Sequence, residues 1–166
     1  DGVVEGTVME IGFRSTAIRR FDKAPVHVPN SQLSDAALTN FSRMTHRRIY
    51  WTIGVTYSTT TEQLKTIRDG ILAYLDEQKE VFDLDVTTFV RVDSFNASSI
   101  DIMLYCFTKT TVWGEWLEIK EALAFAIKDI VENQAGASFA FPSTSLYIES
   151  LPEDRPEIFT PPAEKN

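Results

Sequence analysis

Residues 6–31, GTVMEIGFRSTAIRRFDKAPVHVPNS, carry the pattern on which the fold turns. Val8, Ile18, Phe21, Val26 and Val28 are among their apolar positions, and Gly6, Gly12, Asp22-Lys23 and Pro29-Asn30-Ser31 punctuate the run. Short alternating stretches separated by turn-forming residues predict a small, strongly bent antiparallel sheet. Pro29 fixes its own φ and disfavours helix at Val28, so a strand ends there. Asn30-Ser31 are then expected to cap a short turn, Gln32 to Ala37, through their side-chain oxygens. Asn40-Phe41-Ser42-Arg43 closes the string. Residues 1–48 read as four or five short strands, bent into a small closed or nearly closed barrel.

The period changes near Arg48. Ile49, Trp51, Ile53 and Val55 alternate with Tyr50, Thr52 and Gly54, which predicts a strand. Thr59-Thr60-Thr61-Glu62 has the form of a capping box, and Leu64, Ile67, Ile71 and Leu75 then share one helical face. Val86 to Val92 reads as a second strand, 93–98 as a turn and Ile100 to Phe107 as a third strand. A second helix is expected from Val112 to Asn133, with Trp116, Ile119, Leu123, Ile127 and Ile130 on its apolar face. Gly136 provides its C-terminal stop. A last strand, broken by Pro142, carries Leu146 and Ile148. The order β-α-β-β-α-β over 49–149 is the split βαβ, or ferredoxin-like, arrangement, so the fold class is α+β. Its parallel pairs are expected to be joined by right-handed helical crossovers. From Ser150 four of the seven prolines mix with acidic residues. Residues 150–166 read as an extended acidic tail, unless Ile158-Phe159-Thr160 forms a short strand that pairs between subunits.

Composition narrows the function classes. A chain of 166 residues with 43% hydrophobic content can pack cores throughout. The net charge of −8 is uneven, about +2 over residues 1–50 and −10 over the remainder. No run approaches the roughly 18 apolar residues of a membrane-spanning helix, and a secretory leader is not expected at Asp1-Gly2-Val3. With no initiator Met, the chain reads as a soluble piece of something longer. The single cysteine, Cys106, lies in an apolar strand and reads as a buried, inert thiol. His27 and His46 lie nineteen apart with no other histidine and no cysteine near in sequence, so no metal or other cofactor is expected. There is no phosphate loop and no Ser/His/Asp set, and the chain is not expected to be an enzyme.

The ordered string Gly6-Thr7-Val8, Pro29-Asn30-Ser31, Asn40-Phe41-Ser42-Arg43, the strand Ile49–Tyr57 and the closing Phe141-Pro142 resemble the small-conductance mechanosensitive (MscS-like) ion channel family. Tyr105-Cys106-Phe107-Thr108-Lys109-Thr110-Thr111-Val112-Trp113 and Glu115-Trp116-Leu117 resemble its low-conductance branch. The resemblance implies a small Sm-like β-barrel domain followed by the ferredoxin-like domain, together forming the cytoplasmic vestibule of a tension-gated, low-selectivity channel. Such channels are homoheptamers of the bacterial inner membrane that release solutes during hypo-osmotic shock. Their pore-lining helix would precede Asp1. The partners implied are further copies of the chain, the lipid bilayer through helices outside this sequence, and permeating ions and small solutes. Nucleic acid is not expected.

Within that frame Arg19, Arg20, Arg43, Arg47 and Arg48 are the candidate site residues. They either line a portal or vestibule wall and bias ion entry, or form inter-subunit pairs with carboxylates such as Asp22 or Glu62. The plain alternative is a solvated surface, where ion pairs contribute about 0–1 kcal/mol. Pro29, Asn30, Ser31 and Asn40 read as a turn and assembly motif that sets backbone shape, with Phe41 an interface anchor or core. Trp113 and Trp116, three apart, share a helical face and pack core or a subunit contact. The competing function is RNA binding, with Phe89 and Phe107 as stacking groups, and the −10 of the second half argues against it. A small hydrolase lacks its nucleophile.

Overall fold

Strands β1 (Gly6–Ile11), β2 (Ser15–Arg20) and β3 (Pro25–Pro29) form an antiparallel sheet in the order β1-β2-β3. The computed structural model describes residues 4–142 of a chain that divides into two compact units, Asp1–Thr45 and His46–Asn166. In the first unit the Gly12 amide donates to the Ser15 carbonyl at 3.0 Å, closing the β1–β2 turn. At the β2–β3 turn Asp22 Oδ1 accepts from the Ala24 amide at 3.0 Å while Lys23 takes φ 71°. This is how Asp mimics a backbone turn. A register slip between Val8 and Glu10 marks a bulge that bends β1. Thr16, Ile18 and Val28 are buried, whereas β1 is exposed along its length.

The described residues of this unit contain three strands, not four or five, and their sheet is open. Beyond Pro29 the backbone turns into α1 (Asn30–Asp35) and later a single 3₁₀ turn, Phe41–Arg43, neither of which joins the sheet. The expected cap also differs. Pro29 occupies the cap position of α1 with no side-chain bond to the helix. The Asn30 side chain is turned instead toward Gly12 and Thr16.

The second unit opens with β4 (Arg47–Val55), followed by α2 (Thr61–Glu77), β5 (Phe89–Phe95), β6 (Ile100–Thr108) and α3 (Trp113–Asp129). Its sheet has the order β4-β6-β5. Both pairings are antiparallel, which corrects the expected parallel pairs. β4 and β5 do run the same way, but β6 lies between them and pairs with each. Strand β5 begins three residues later than expected. Before it, Asp83 holds a turn by accepting from the Asp85 amide at 3.1 Å, and Thr88 donates to the Val86 carbonyl. The β5–β6 turn closes between the Asn96 amide and the Ser99 carbonyl at 2.8 Å, beside a bulge between Val92 and Ser94.

The capping box of α2 sits one residue later than the sequence suggested. Thr60 Oγ1 accepts from the Gln63 amide, and Gln63 Oε1 accepts from the Thr60 amide. Gln63 also donates to the Ala135 carbonyl at 3.0 Å, tying the start of α2 to the end of the α3 segment. Helix α3 itself stops at Asp129 and widens into a π turn, Ile130–Gln134. Its exit passes through Gly136 at φ +62°, a conformation that strains residues with a Cβ. Gly70 lets α2 meet this π turn, since a Cβ there would lie 2.9 Å from Ile130 Cγ2.

One core joins these elements. Ile49, Ile53 and Val55 of β4, Val90 of β5 and Ile102, Leu104 and Cys106 of β6 face Ile67, Ile71, Leu75, Leu123 and Ile127 of the two helices. Both helices thus cover one face of the sheet. After Gly136 the chain returns to β4: Val55 bridges Phe139, and the Ala140 amide donates to the Gly54 carbonyl at 2.9 Å. The expected strand at Leu146 and Ile148 and the acidic tail lie outside the described residues.

Candidate functional site

The candidate arginines fall into two settings. In the first unit Arg20 pairs with Asp22 at 3.5 Å within the same chain, and Arg19 donates to the Lys23 carbonyl at 3.4 Å. Arg43 closes the exposed 3₁₀ turn. The carboxylates considered as inter-subunit partners are thus engaged locally: Asp22 by Arg20, and Glu62 by Lys65 at 2.8 Å. These are exposed pairs, each contributing about 0–1 kcal/mol.

The turn motif of the first unit is built from side-chain hydrogen bonds. Asn30 Oδ1 accepts from Thr16 Oγ1 at 2.8 Å, and Asn30 Nδ2 donates to the Gly12 carbonyl at 2.9 Å. The Asn30 amide donates to the Arg14 carbonyl, so one residue fastens the end of β3 to the β1–β2 turn. Pro29 closes the β2–β3 ladder opposite Ser15, and Ser31 lies exposed in α1. Asn40 Oδ1 accepts from both the amide and the hydroxyl of Ser42, which shapes the 3₁₀ turn. Phe41 on that turn is 63% exposed, so it is not core of its own unit.

In the second unit Arg47 and Arg48 point to opposite faces of β4. Arg47 Nε donates to the Thr111 carbonyl at 2.7 Å. Its guanidinium carbon lies 5.0 Å from the Trp113 ring centroid and 5.8 Å from that of Trp116. The two indoles are 5.2 Å apart, and Lys120 Nζ continues the series at 4.9 Å from Trp116 and 5.5 Å from Trp51. Cations over indoles contribute about 0.5–2 kcal/mol each. The result is a ladder of Arg47, Trp113, Trp116, Lys120 and Trp51 that clamps the start of α3 against β4. Sequence reasoning found the Trp113/Trp116 pair but missed its cations: Arg47 is distant in the chain, and Lys120, one turn from Trp116, looks like any solvated lysine.

On the other face Arg48 lies 5.8 Å over the Tyr105 ring. Tyr50, Tyr105 and Phe89 are register partners across all three strands, and Phe107 packs edge-on to Tyr105 at 5.3 Å. The signal for this aromatic face was the second alternation of β4 and β6, visible once the core set is removed.

A further titratable pair is His46 and Asp83, 2.9 Å apart. The hydrogen bond from His46, assisted by the Asp85 amide, holds the Asp83 carboxyl below its usual range. The folded state therefore binds protons here less readily than the unfolded chain. The stabilisation is present above the ordinary carboxylate pKa and is lost as pH falls through the lower folded value. Asp83→Asn should flatten the acid limb of a urea-midpoint-against-pH profile and leave the neutral limb's shape intact. An unchanged acid limb would refute the linkage.

Burial pushes the Cys106 thiol up to about 12, so it holds its proton at neutral pH. Among the described residues no group of three metal-ligating side chains comes together, and no helix is long and apolar enough to cross a membrane.

Comparison with known proteins fits this two-unit plan. Residues 2–43 match the family model described as the mechanosensitive ion channel β-domain, and residues 49–136 that of the MscS C-terminal part. The low conductance mechanosensitive channel YnaI of Escherichia coli is 43% identical over 151 residues, covering 91% of this chain and 43% of that protein. An MscS family protein of Helicobacter pylori is 42% identical, covering 92% of this chain and 29% of its own length. The chain thus spans less than half the length of these relatives. Its fold is similar to the crystal structure of Helicobacter pylori MscS in the closed state, with TM-score 0.71 and 24% identity over 89% of this chain and 56% of that one. Arabidopsis thaliana MSL1 gives a TM-score of 0.77 at 23% identity, covering 85% of this chain and 50% of that one. The chain belongs to the MscS family of mechanosensitive ion channels, a family of channels and not of enzymes.

Proposed function

We propose that this chain is the cytoplasmic vestibule part of a tension-gated, low-selectivity channel that releases solutes during hypo-osmotic shock. The observation that carries the proposal is the pair of family matches, β-domain then C-terminal part, in that order and covering both units. The protein would sit in a bacterial inner membrane as a homoheptamer, its pore helix contributed by sequence before Asp1, with this part on the cytoplasmic side. Residues 1–48 would form an Sm-like β domain, 49–149 a ferredoxin-like domain and 150–166 the tail. The sheet order β4-β6-β5 and the antiparallel return of Phe139 to Val55 support the ferredoxin-like assignment. A fourth strand on the outer edge of β4 would complete that arrangement.

Arg19, Arg20, Arg43 and Arg48 are assigned to portal or inter-subunit surfaces, and Arg47 to the clamp on α3. Ion preference should be weak. The cationic groups are spread and partly engaged, while residues 51–166 carry most of the acidic excess. Patch recording of the complete protein under graded suction tests the function. Suction-dependent openings of small conductance, and rescue of channel-deficient cells from osmotic downshock, are expected. A membrane-inserted protein that stays silent up to the lytic tension would refute it.

A further inference from the structure

The second unit presents apolar side chains on both of its layers. Its helices cover one face of the sheet, and the other face carries Tyr50, Tyr105, Phe89, Phe107 and Met103, interspersed with Arg48, Thr52 and Arg91. Tyr50 is 53% and Phe89 46% exposed, and Arg48 lies over Tyr105. A sheet buried on one face alone would normally show polar residues on the other.

Helix α3 shows the same excess on its outer side. Leu123 and Ile127 face the core, yet Leu117 is 44% and Phe125 66% exposed, two helical turns apart on one side. Beside them Leu117, Glu118, Lys120, Glu121, Ala124 and Trp51 surround an open hollow of about 420 Å³. Lys120 is turned onto the indoles of Trp51 and Trp116, so the charge offered outward by this hollow is that of Glu118 and Glu121. Large apolar side chains left exposed on the outer side of a helix mark a place for a second packing partner.

We propose that these two surfaces are the two halves of one head-to-tail contact: the aromatic sheet face of one copy packs on the outer side of α3 in the next. The occupant of each surface is therefore a second copy of this chain. Charge complementarity supports the pairing, Arg48 on the sheet face against Glu118 and Glu121 on α3. So do the surfaces themselves, an aromatic sheet face on one and Leu117 and Phe125 beside a hollow on the other. Two unlike patches on different layers of a unit generate a ring when the rotation closes. The inference rests on the assembly stated under the proposed function and assigns the surfaces that would build it.

The test uses the complete subunit carrying Tyr50→Cys, Leu117→Cys or both, treated with a short bis-maleimide, with the mass of the untreated assembly measured by light scattering. Cys106, buried and protonated, stays out of the reaction. The double variant should yield a ladder of covalent oligomers up to the closed ring, and each single variant none above background. A second pair, Phe89→Cys with Phe125→Cys, should behave alike if the first perturbs packing. Cross-linking of Tyr50→Cys alone would mean a face-to-face contact and overturn the proposal. An oligomer of full mass that neither pair cross-links would overturn it while leaving ring assembly standing, whereas a monomer would overturn both. A salt-sensitive complex with single-stranded RNA that Tyr50→Ala abolishes would give the sheet face to nucleic acid and equally overturn it.

Discussion

Phe82→Ala is expected to cost the second unit roughly 3–5 kcal/mol, the usual range for deleting a buried phenyl ring. Phe82 is 2% exposed and leaves α2 by a turn in which its amide donates to the Gln78 carbonyl at 3.0 Å. Its ring meets that of Tyr74 at 6.5 Å, and its backbone bridges Thr108 at the end of β6. The side chain thus plugs the core where α2, β6 and the following loop converge. Little can collapse into the space, because β6 is fixed there by pairing with β4. The loss is a large share of the 5–15 kcal/mol by which domains are stable. Urea unfolding followed by tryptophan fluorescence reports on this unit alone, since Trp51, Trp113 and Trp116 all lie in it. Phe82→Leu should lose distinctly less. A cost for Phe82→Ala below about 1 kcal/mol would show that the site is not packed as described.

Asn30→Ala is expected to cost the first unit roughly 2–3 kcal/mol, from two lost hydrogen bonds and the groups left without partners. The Thr16 hydroxyl, buried at 4% exposure, loses its acceptor, and the Gly12 carbonyl loses its donor. Among the described residues only Ile18 and Val28 are buried apolar side chains in this unit, so it has little else to lean on. A unit of this size is marginal by surface-to-volume scaling alone. Amide exchange should report the effect: protection across β1 and β2 falls sharply while the tryptophan signal of the second unit does not move. Asn30→Asp keeps the acceptor and should fall between the two. Unchanged protection in Asn30→Ala would mean that Asn30 is not the fastening.

The second unit was largely legible because its core obeys simple periods. Ile49, Ile53 and Val55, and Ile67, Ile71 and Leu75, are buried as their spacing demands. The first unit was less legible. Four or five strands are expected over residues 1–48, whereas the described residues of the unit hold three; the turn expected from Gln32 to Ala37 is present as α1, and Phe41–Arg43 adds a 3₁₀ turn. Asn30 was read as a cap, yet two distant acceptor and donor groups compete for its amide side chain and win. The capping box slipped by one residue because Gln63 serves as well as Glu62. Of the candidate arginines, the ladder on Arg47 could not be read locally, for its rungs come from β4 and from more than one turn of α3.

The pairing of β4 with β6 also sets a timetable for synthesis. Thr108 donates to the Arg47 carbonyl across a separation of 61 residues, and every β4 partner lies as far along as Ile100 or beyond. At about 5–20 residues per second, a ribosome would take roughly 3–12 s to deliver the missing strand. Throughout that interval Ile49-Tyr50-Trp51-Thr52-Ile53 is a nascent, sticky edge without a mate, while the β5–β6 hairpin can close at once. Production of the chain should accordingly be limited by the fate of this one waiting segment, and slowed growth temperature or a holding chaperone should raise the soluble yield.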